Sequence, residues 1–124
     1  MLPIITRKKP NPKTVDRFEK GMEKVLFDIE NIWLEKGKKN YLCGDNISVA
    51  DIIAVCELEQ PSMAGYDVRQ DHPILAKYMD RVKADLQPHY DDTHKILYKI
   101  RDKFQGERPN LISFAFWMTI FYML

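Results

Sequence analysis

Apolar residues recur at three- and four-residue steps along much of the chain, which is the spacing of one face of an α-helix. The first such stretch follows Asn11-Pro12, a capping asparagine with proline at the first helical position. It predicts an amphipathic helix of about six turns, which Gly37 brings to an end. Its predicted inward face comprises Val15, Phe18, Met22, Val25, Leu26, Ile29, Ile32 and Trp33.

A second stretch, from Ser48 to about Gln60, is apolar on nearly every face and predicts a buried central helix. Ser48 and Asp51 have the spacing of a capping box, and Ile47 and Ile52 occupy the two positions of a hydrophobic staple. Asp51 is the one acid that we expect to be buried, and its capping role accounts for it without catalysis. Replacing Ser48 or Asp51 by alanine is expected to cost about 1 kcal/mol or more.

Two further helices follow a connecting segment that begins at Pro61, which cannot continue helical hydrogen bonding. Asp71-His72-Pro73 begins the first of them and Pro88 ends it, while the second runs from about His89 to Phe104. Their predicted inward residues are Leu75, Tyr78, Met79, Val82 and Leu86, then Thr93, Ile96, Leu97, Ile100 and Phe104. Because no strand-like alternation or repeat is visible, the pattern predicts an all-α fold, a helical bundle around the buried central helix.

Residues 111–124, LISFAFWMTIFYML, contain only Ser113 and Thr119 as polar side chains. The segment is shorter than the roughly 20 residues that a membrane-spanning helix needs. A domain rarely leaves so large an apolar patch exposed. Three interpretations stay open: a terminal segment docked in an apolar groove, a tail that contacts a membrane, or translated sequence outside the fold.

Composition and charge narrow the function classes without naming one. The chain has 124 residues, enough for one domain with one core, and its fractions of hydrophobic (45%) and charged (30%) residues are ordinary for a soluble globular protein. A formal net charge of +1 gives no electrostatic argument for a nucleic-acid partner. Cys43 and Cys56 are too far apart for a redox or zinc pair, so we expect a reducing, cytoplasmic compartment. The first residues lack a secretory signal pattern.

The side chains form no recognisable catalytic or metal-binding motif. His89 and His94 are five positions apart, so their imidazoles do not share a helical face, and we interpret the three histidines as surface residues. Glu57 and Glu59 fall on different faces of their helix and make no general acid–base pair. Five tyrosines could serve a ligand or pack in the core equally well: Tyr41, Tyr66, Tyr78, Tyr90 and Tyr98. The residues alone predict no catalytic, cofactor or metal site.

The stretch YLCGDNISVADIIAVCELEQPSMAGYDV, residues 41–68, resembles part of the C-terminal helical domain of cytosolic glutathione transferases. In that family a glycine, a Ser/Thr-x-x-Asp capping box and an Ala-Asp pair open the buried sixth helix. The corresponding residues here are Gly44, Ser48, Ala50 and Asp51. The segment from Glu57 to Tyr66 is most similar to the theta class and to its insect-like members. The resemblance covers about residues 11–104.

The resemblance implies three parts: residues 1–10 as the remnant of a preceding helix or loop, residues 11–106 as the transferase-like helical domain, and residues 107–124 as an apolar aromatic tail outside the family pattern. It also implies that the thioredoxin-like domain, which binds glutathione and carries the catalytic serine of the theta class, is absent from this chain. By the same resemblance we expect the fourth helix of the family to be missing or reduced to Met1–Ile5. No catalytic residue can therefore be carried over, only the structural Ser48 and Asp51.

By the same resemblance, the parent enzyme conjugates its co-substrate glutathione to hydrophobic electrophiles in detoxification, and a homodimer is possible. A thiol needs a positioned donor to hold its thiolate at neutral pH. The helical domain offers none, so we expect this chain alone to be inactive and to bind no cofactor. The alternative is a non-catalytic protein-interaction module, since transferase-like helical domains also serve as docking modules in translation factors and aminoacyl-tRNA synthetase complexes. A third hypothesis is membrane association through residues 111–124.

Overall fold

The computed structural model describes residues 11–104, which form five α-helices joined by short 3-10 and π-helical turns and contain no β-strand. The helices are α1 (Pro12–Asp28), α2 (Val49–Glu59), α3 (Val68–Asp71), α4 (Pro73–Leu86) and α5 (His89–Phe104). The predicted all-α class is confirmed. Residues 1–10 and the apolar segment 111–124 lie outside the described residues, so the predicted division into three parts and the three interpretations of that segment stay predictions.

The first helix begins as its sequence predicts. The Asn11 side chain accepts a hydrogen bond from the Lys13 N–H at 3.0 Å, and Pro12 occupies the first helical position. Part of the predicted inward face is buried, namely Val15, Met22 and Leu26. The prediction was wrong for three other residues, which are exposed: Val25, Ile32 and Trp33.

A π-helical turn, Ile29–Trp33, follows α1, and the Leu34 N–H donates to the Ile29 carbonyl at 2.9 Å to close it. A π-turn takes more residues per turn than an α-helix. The α-helical period therefore no longer applies within it, which is why its last residues lie on the outside. The chain then turns through residues 35–37, whose φ angles are positive. Gly37 has φ 86° and supplies the predicted stop, because glycine adopts this conformation without steric cost.

Only one side of the central helix α2 is covered by the rest of the described chain. Its buried residues are Asp51, Val55, Leu58 and Glu59. On the other side the exposed residues Val49, Ile52 and Ile53 form a surface that we call the outer apolar face, and Val49 is 70% exposed. The prediction of burial on every face thus holds for half of the helix. Within residues 11–104, no element covers the other half.

The core runs along α4, where the predicted inward residues are the most completely buried in the described chain: Leu75, Tyr78, Met79 and Val82. Leu86, the fifth, is partly buried against the same cluster. Gln87 and Pro88 end the helix, as predicted. The prediction for α4 is confirmed.

The last helix, α5, faces the core with a different side from the one predicted. Tyr90 and His94 are buried, whereas Ile96 is 73% exposed and Ile100 is also exposed. Thr93 lies at the surface with them. The reason lies in what α5 packs against: it contacts the 3-10 turn Gln60–Ala64 that follows α2, beside the buried Glu59 carboxylate. The Tyr90 hydroxyl donates to that carboxylate, which isoleucine cannot do, while His94 bonds the Tyr90 carbonyl of its own helix at 2.7 Å.

Candidate functional site

Asp51, fully buried at the start of α2, accepts hydrogen bonds from three segments of the chain. Ser48 caps the helix and forms the capping box with Asp51. Oδ2 of Asp51 accepts from the Ser48 N–H at 2.8 Å and from its hydroxyl at 2.9 Å. Oδ1 accepts from the Leu42 N–H at 2.9 Å and from the Tyr78 hydroxyl at 2.8 Å. The carboxylate thus joins the loop before α2, the helix itself and the core helix α4.

The two staple positions lie on the solvent side of the same helix start. Ile47 precedes the cap and is 37% exposed, and Ile52 follows Asp51 and is 41% exposed. Ile52 belongs to the outer apolar face, so its side chain is available to an element beyond the described residues. The staple itself stays a prediction.

We expect Ser48→Ala to lower the free energy of unfolding by about 1 kcal/mol, because the substitution removes one capping side chain but leaves the Asp51 carboxylate its other donors. Urea unfolding followed by circular dichroism measures the change. Ser48→Thr is the matched control, since it keeps the hydroxyl, and should remain close to the parent chain. Equal losses in both variants would count against a role for the hydroxyl.

A second buried carboxylate, Glu59, lies at the C-terminal end of α2 and joins three helices. Its side chain is 3% exposed. Oε1 accepts from the Arg69 guanidinium of α3 at 2.6 Å and from the Tyr90 hydroxyl of α5 at 2.6 Å. Asp80 on α4 lies 3.6 Å from the same guanidinium. The Glu59–Arg69 ion pair is stabilising only while both partners are present, because a buried charge has lost its hydration.

A third buried carboxylate, Glu30, lies in the π-turn and faces the N-terminus of α4. Oε1 accepts from the Ile74 and Leu75 N–H groups at 3.1 and 3.0 Å, so it satisfies two amides that have no partner within the helix. Its other oxygen lies 3.3 Å from Nδ1 of His72. The carboxylate therefore fixes the π-turn to the core helix.

These networks correct two expectations. Asp51 was expected to be the one buried acid, but Glu30 and Glu59 are buried as well. The histidines are not all at the surface, since His72 and His94 are 8% and 6% exposed. The sequence signal for the carboxylates and His72 was weak, because Glu30, Asp51 and Glu59 each have a partner at least ten positions away, a distance over which spacing carries no information. His94 differs, since it bonds the Tyr90 carbonyl within its own helix.

Every tyrosine in residues 11–104 donates its hydroxyl to a carboxylate. The pairs are Tyr41–Asp85, Tyr66–Glu23, Tyr78–Asp51, Tyr90–Glu59 and Tyr98–Asp91. Burial is the main cause that raises the pKa of Tyr66, Tyr78, Tyr90 and Tyr98, and the neighbouring carboxylates raise it further. For Tyr41 the bond to Asp85 is the main cause of the raised pKa. Each hydroxyl thus has an acceptor already, so the arrangement braces the helices and leaves these phenols poorly suited to hold a thiolate.

The two cysteine side chains are free thiols, Cys43 exposed and Cys56 partly buried. Burial raises the pKa of the Cys56 thiol, and the charges of Glu57 and Glu59 raise it further. A raised pKa lowers the thiolate fraction, so Cys56 is a weak nucleophile.

Within residues 11–104 no group of three or more histidine, cysteine or acidic side chains is placed to hold a metal ion. In the same range, each helix is too short or too polar to cross a membrane.

Acid should destabilise the domain through two of the buried carboxylates. Burial raises the pKa of Asp51, but hydrogen bonds from Leu42, Ser48 and Tyr78 outweigh it and the pKa lies below its usual value. The pKa of Glu59 is lowered in the same way by Arg69 and Tyr90. A carboxyl with a lowered folded-state pKa contributes stability that is fully present above its unfolded pKa, about 4, and is lost as pH falls through the folded value.

We therefore expect the melting temperature to fall steeply below about pH 4. Thermal melts from about pH 3 to 7 measure this, with Asp51→Asn and Glu59→Gln expected to flatten the acid limb. Asp16→Asn, an exposed acid on α1, is the control and should keep the slope of the parent chain. An acid limb that is the same in all four proteins would contradict the assignment.

Comparison with known proteins identifies the family to which the chain is similar. The family model described as "Glutathione S-transferase, C-terminal domain" matches residues 1–85. Glutathione S-transferase T1 of Arabidopsis thaliana is 35% identical over 103 residues, which cover 79% of this chain and 42% of the relative. Glutathione S-transferase theta-1 of Homo sapiens is 29% identical over 103 residues, with coverage of 82% and 42%. The theta-1 protein of Bos taurus is 30% identical over 112 residues, with coverage of 90% and 45%.

The chain spans less than half of the length of these relatives. No solved structure matches it. The family match includes α1, the capped helix α2 and nearly all of the core helix α4. The resemblance to theta-class transferases is confirmed, while the finer likeness to insect-like members stays a prediction. This all-α chain therefore belongs to the family of glutathione S-transferase C-terminal domains, and its relatives include theta-class enzymes.

Proposed function

We propose that this chain is the helical, hydrophobic-substrate and dimerisation domain of a theta-like glutathione transferase that conjugates glutathione to hydrophobic electrophiles in detoxification. The family match over residues 1–85 carries the proposal, and the share of each relative that the chain covers, 42–45%, is that of one domain of a larger enzyme. The cytoplasm is the proposed compartment. In this proposal residues 11–106 are the transferase-like helical domain, residues 1–10 are the remnant of a preceding helix or loop, and residues 107–124 are an apolar aromatic tail outside the family pattern.

The outer apolar face of α2 supports the proposal from the structural side. Val49, Ile52 and Ile53 are exposed on the helix that the family buries. Burying them would be favourable by about 25 cal/mol for each Å² removed from water. In the proposed enzyme, the remaining part of the whole protein covers this face, and glutathione and the electrophile bind where the two parts meet.

The chain alone is proposed to be inactive. Conjugation at neutral pH needs a donor that holds the thiolate and groups that fix the tripeptide beside the electrophile. The phenols of residues 11–104 are already hydrogen-bonded to carboxylates, which makes them poor donors to a thiolate. We expect glutathione conjugation to an aryl or alkyl halide to proceed at the uncatalysed rate. A rate that disappears when a residue of this chain is mutated would overturn this part of the proposal.

A chimera tests the domain assignment directly. It joins the part of human theta-1 that precedes its matched region to this chain. We expect the chimera to conjugate glutathione to an alkyl halide, because the helical domain would supply the missing half. Val49→Glu with Ile53→Glu should abolish that rate by disrupting the outer apolar face, whereas Lys20→Gln on α1, 77% exposed, should leave it unchanged. A folded but inactive chimera would count against the proposal.

A non-catalytic interaction module is the second candidate, and the same outer apolar face favours it. An exposed apolar surface on an otherwise well-braced domain is typical of a docking site. In that case the chain should co-purify with one stable partner protein, and Val49→Glu should release it. Size-exclusion chromatography separates this outcome from a homodimer, which is the further assembly proposed for the whole enzyme.

A further inference from the structure

A cleft of about 290 Å³ opens among four elements of the fold: the C-terminal end of α2, the segment that includes α3, and the facing sides of α4 and α5. Its lining is almost entirely charged: Glu59, Asp67, Arg69, Asp80, Lys83, Tyr98 and Arg101. The cleft is separate from the Asp51 network and from the outer apolar face. It is therefore a different region from the one where the proposed function places glutathione and the electrophile.

One end of the cleft is acidic. The Arg69 guanidinium lies 2.6 Å from Glu59 and 3.6 Å from Asp80. The Asp67 carboxylate accepts from the Arg69 N–H at 3.0 Å and also acts on the guanidinium through its charge. One cation thus faces three carboxylates, which leaves this end with a net charge of −2. Asp80 is 70% exposed, so its carboxylate is open to a ligand.

The other end is basic and aromatic. Lys83 and Arg101 lie over the ring of Tyr98, with the ammonium nitrogen 5.7 Å and the guanidinium carbon 4.8 Å from the ring centroid. Each cation also has an acidic partner outside the lining: Asp91 is 3.0 Å from Lys83, and Asp102 is 3.1 Å from Arg101. Both pairs are partly exposed, and such pairs exchange partners at little cost in free energy.

We propose that this cleft binds a small zwitterion, an amino acid or short peptide with free amino and carboxyl groups. The ammonium group would lie at Asp67 and Asp80, and the carboxylate at Lys83 and Arg101. The planar guanidinium of Arg101 can bind a carboxylate with two hydrogen bonds. A simple anion or cation can pair with the side chains of one end only, so the separation of charge favours a dipolar ligand. The volume lies at the lower limit of small-molecule pockets, which favours a ligand of dipeptide size.

The test uses the full chain, isotopically labelled for NMR, and titrates it with alanylalanine. We expect saturable shifts of the Arg69, Lys83 and Arg101 amide signals, with a dissociation constant of about 1 mM or lower. The N-acetylated dipeptide lacks the ammonium group and the dipeptide amide lacks the carboxylate, and each should bind about tenfold more weakly. Absence of saturable shifts, or equal binding of the three compounds, would overturn the proposal.

Two variants test the two ends separately. Asp80→Asn removes a charge from the acidic end, and Arg101→Gln removes one from the basic end; each should weaken binding of alanylalanine by about tenfold. Asp16→Asn and Lys20→Gln change an exposed pair on α1 and serve as matched controls with no effect on binding. Unchanged affinity in both cleft variants would contradict the proposal. Asp80 is well exposed, so its variant keeps the test valid even if the Arg101 variant is poorly folded.

Discussion

Asp51→Ala is expected to lower the free energy of unfolding by about 4 kcal/mol, well beyond the loss expected for Ser48→Ala, because a buried donor without a partner costs about 1–3 kcal/mol. The substitution leaves the Leu42 N–H, the Ser48 N–H and the Tyr78 hydroxyl without their common acceptor. From spacing alone, the two cap residues were expected to cost a similar amount. The structure raises the expectation for Asp51, since two of its four donors come from outside the cap.

Urea unfolding at neutral pH measures this loss of unfolding free energy. Two further variants show how much of it comes from individual hydrogen bonds of Asp51. Asp51→Asn keeps one acceptor oxygen and should fall between the alanine variant and the parent chain. Tyr78→Phe removes a single donor and should cost about 1 kcal/mol. If Asp51→Ala were no more destabilising than Ser48→Ala, the bonds to Leu42 and Tyr78 would contribute little in solution.

Arg69→Leu is expected to cost about 3 kcal/mol, because it leaves the Glu59 carboxylate buried with the Tyr90 hydroxyl as its one remaining donor from this network. Breaking a buried ion pair by removing one partner typically costs 3–5 kcal/mol. The lower figure applies here, because the Arg69 side chain is 27% exposed and water can reach the site.

The double variant Glu59→Gln with Arg69→Leu separates charge from packing. It should recover part of the loss, because no buried charge is left. The deficit of Arg69→Leu should also shrink as the pH falls and Glu59 becomes protonated, since the neutral acid no longer needs the guanidinium. A double variant less stable than Arg69→Leu alone would show that the unpaired charge of Glu59 does not determine the loss.

The sequence predicted local features well and long-range ones poorly. Features that depend on one helix and its flanks were predicted correctly. They are the asparagine cap of α1 and the start, end and inward face of α4. Spacing records such interactions directly. The family could also be recognised, because its densest motif lies within one continuous segment, residues 41–68.

The inward face of α5 could not be predicted, because the apolar pattern of a helix shows which side is apolar and not what it meets. The side with Ile96 and Ile100 has no covering element among the described residues, while Tyr90 on the buried side donates to the Glu59 carboxylate. The burial of Glu59 depends on Arg69, ten positions away on another helix. The contact of Tyr90 with Glu59 and Arg69 involves three helices, so it cannot be predicted from the apolar period of one of them.

The same limit applies to the π-turn at Ile29–Trp33. Its residues continue the apolar period of α1, so the sequence shows no break there. Glu30 accepts hydrogen bonds from the Ile74 and Leu75 amides from this turn. The turn is thus coupled to residues more than 40 positions away, which the period of one helix does not record.

The two sides of α2 differ in a way that has an evolutionary consequence: one side has the buried carboxylates Asp51 and Glu59, and the other has the outer apolar face. Substitutions at Asp51 or Glu59 change whether the helices hold together, whereas in the proposed enzyme substitutions at Val49 or Ile53 change what the domain can join. The proposal thus assigns folding and assembly to separate residues of one short helix. Such a domain can acquire a new neighbour by drift on one side of α2 while selection on the other side keeps its fold.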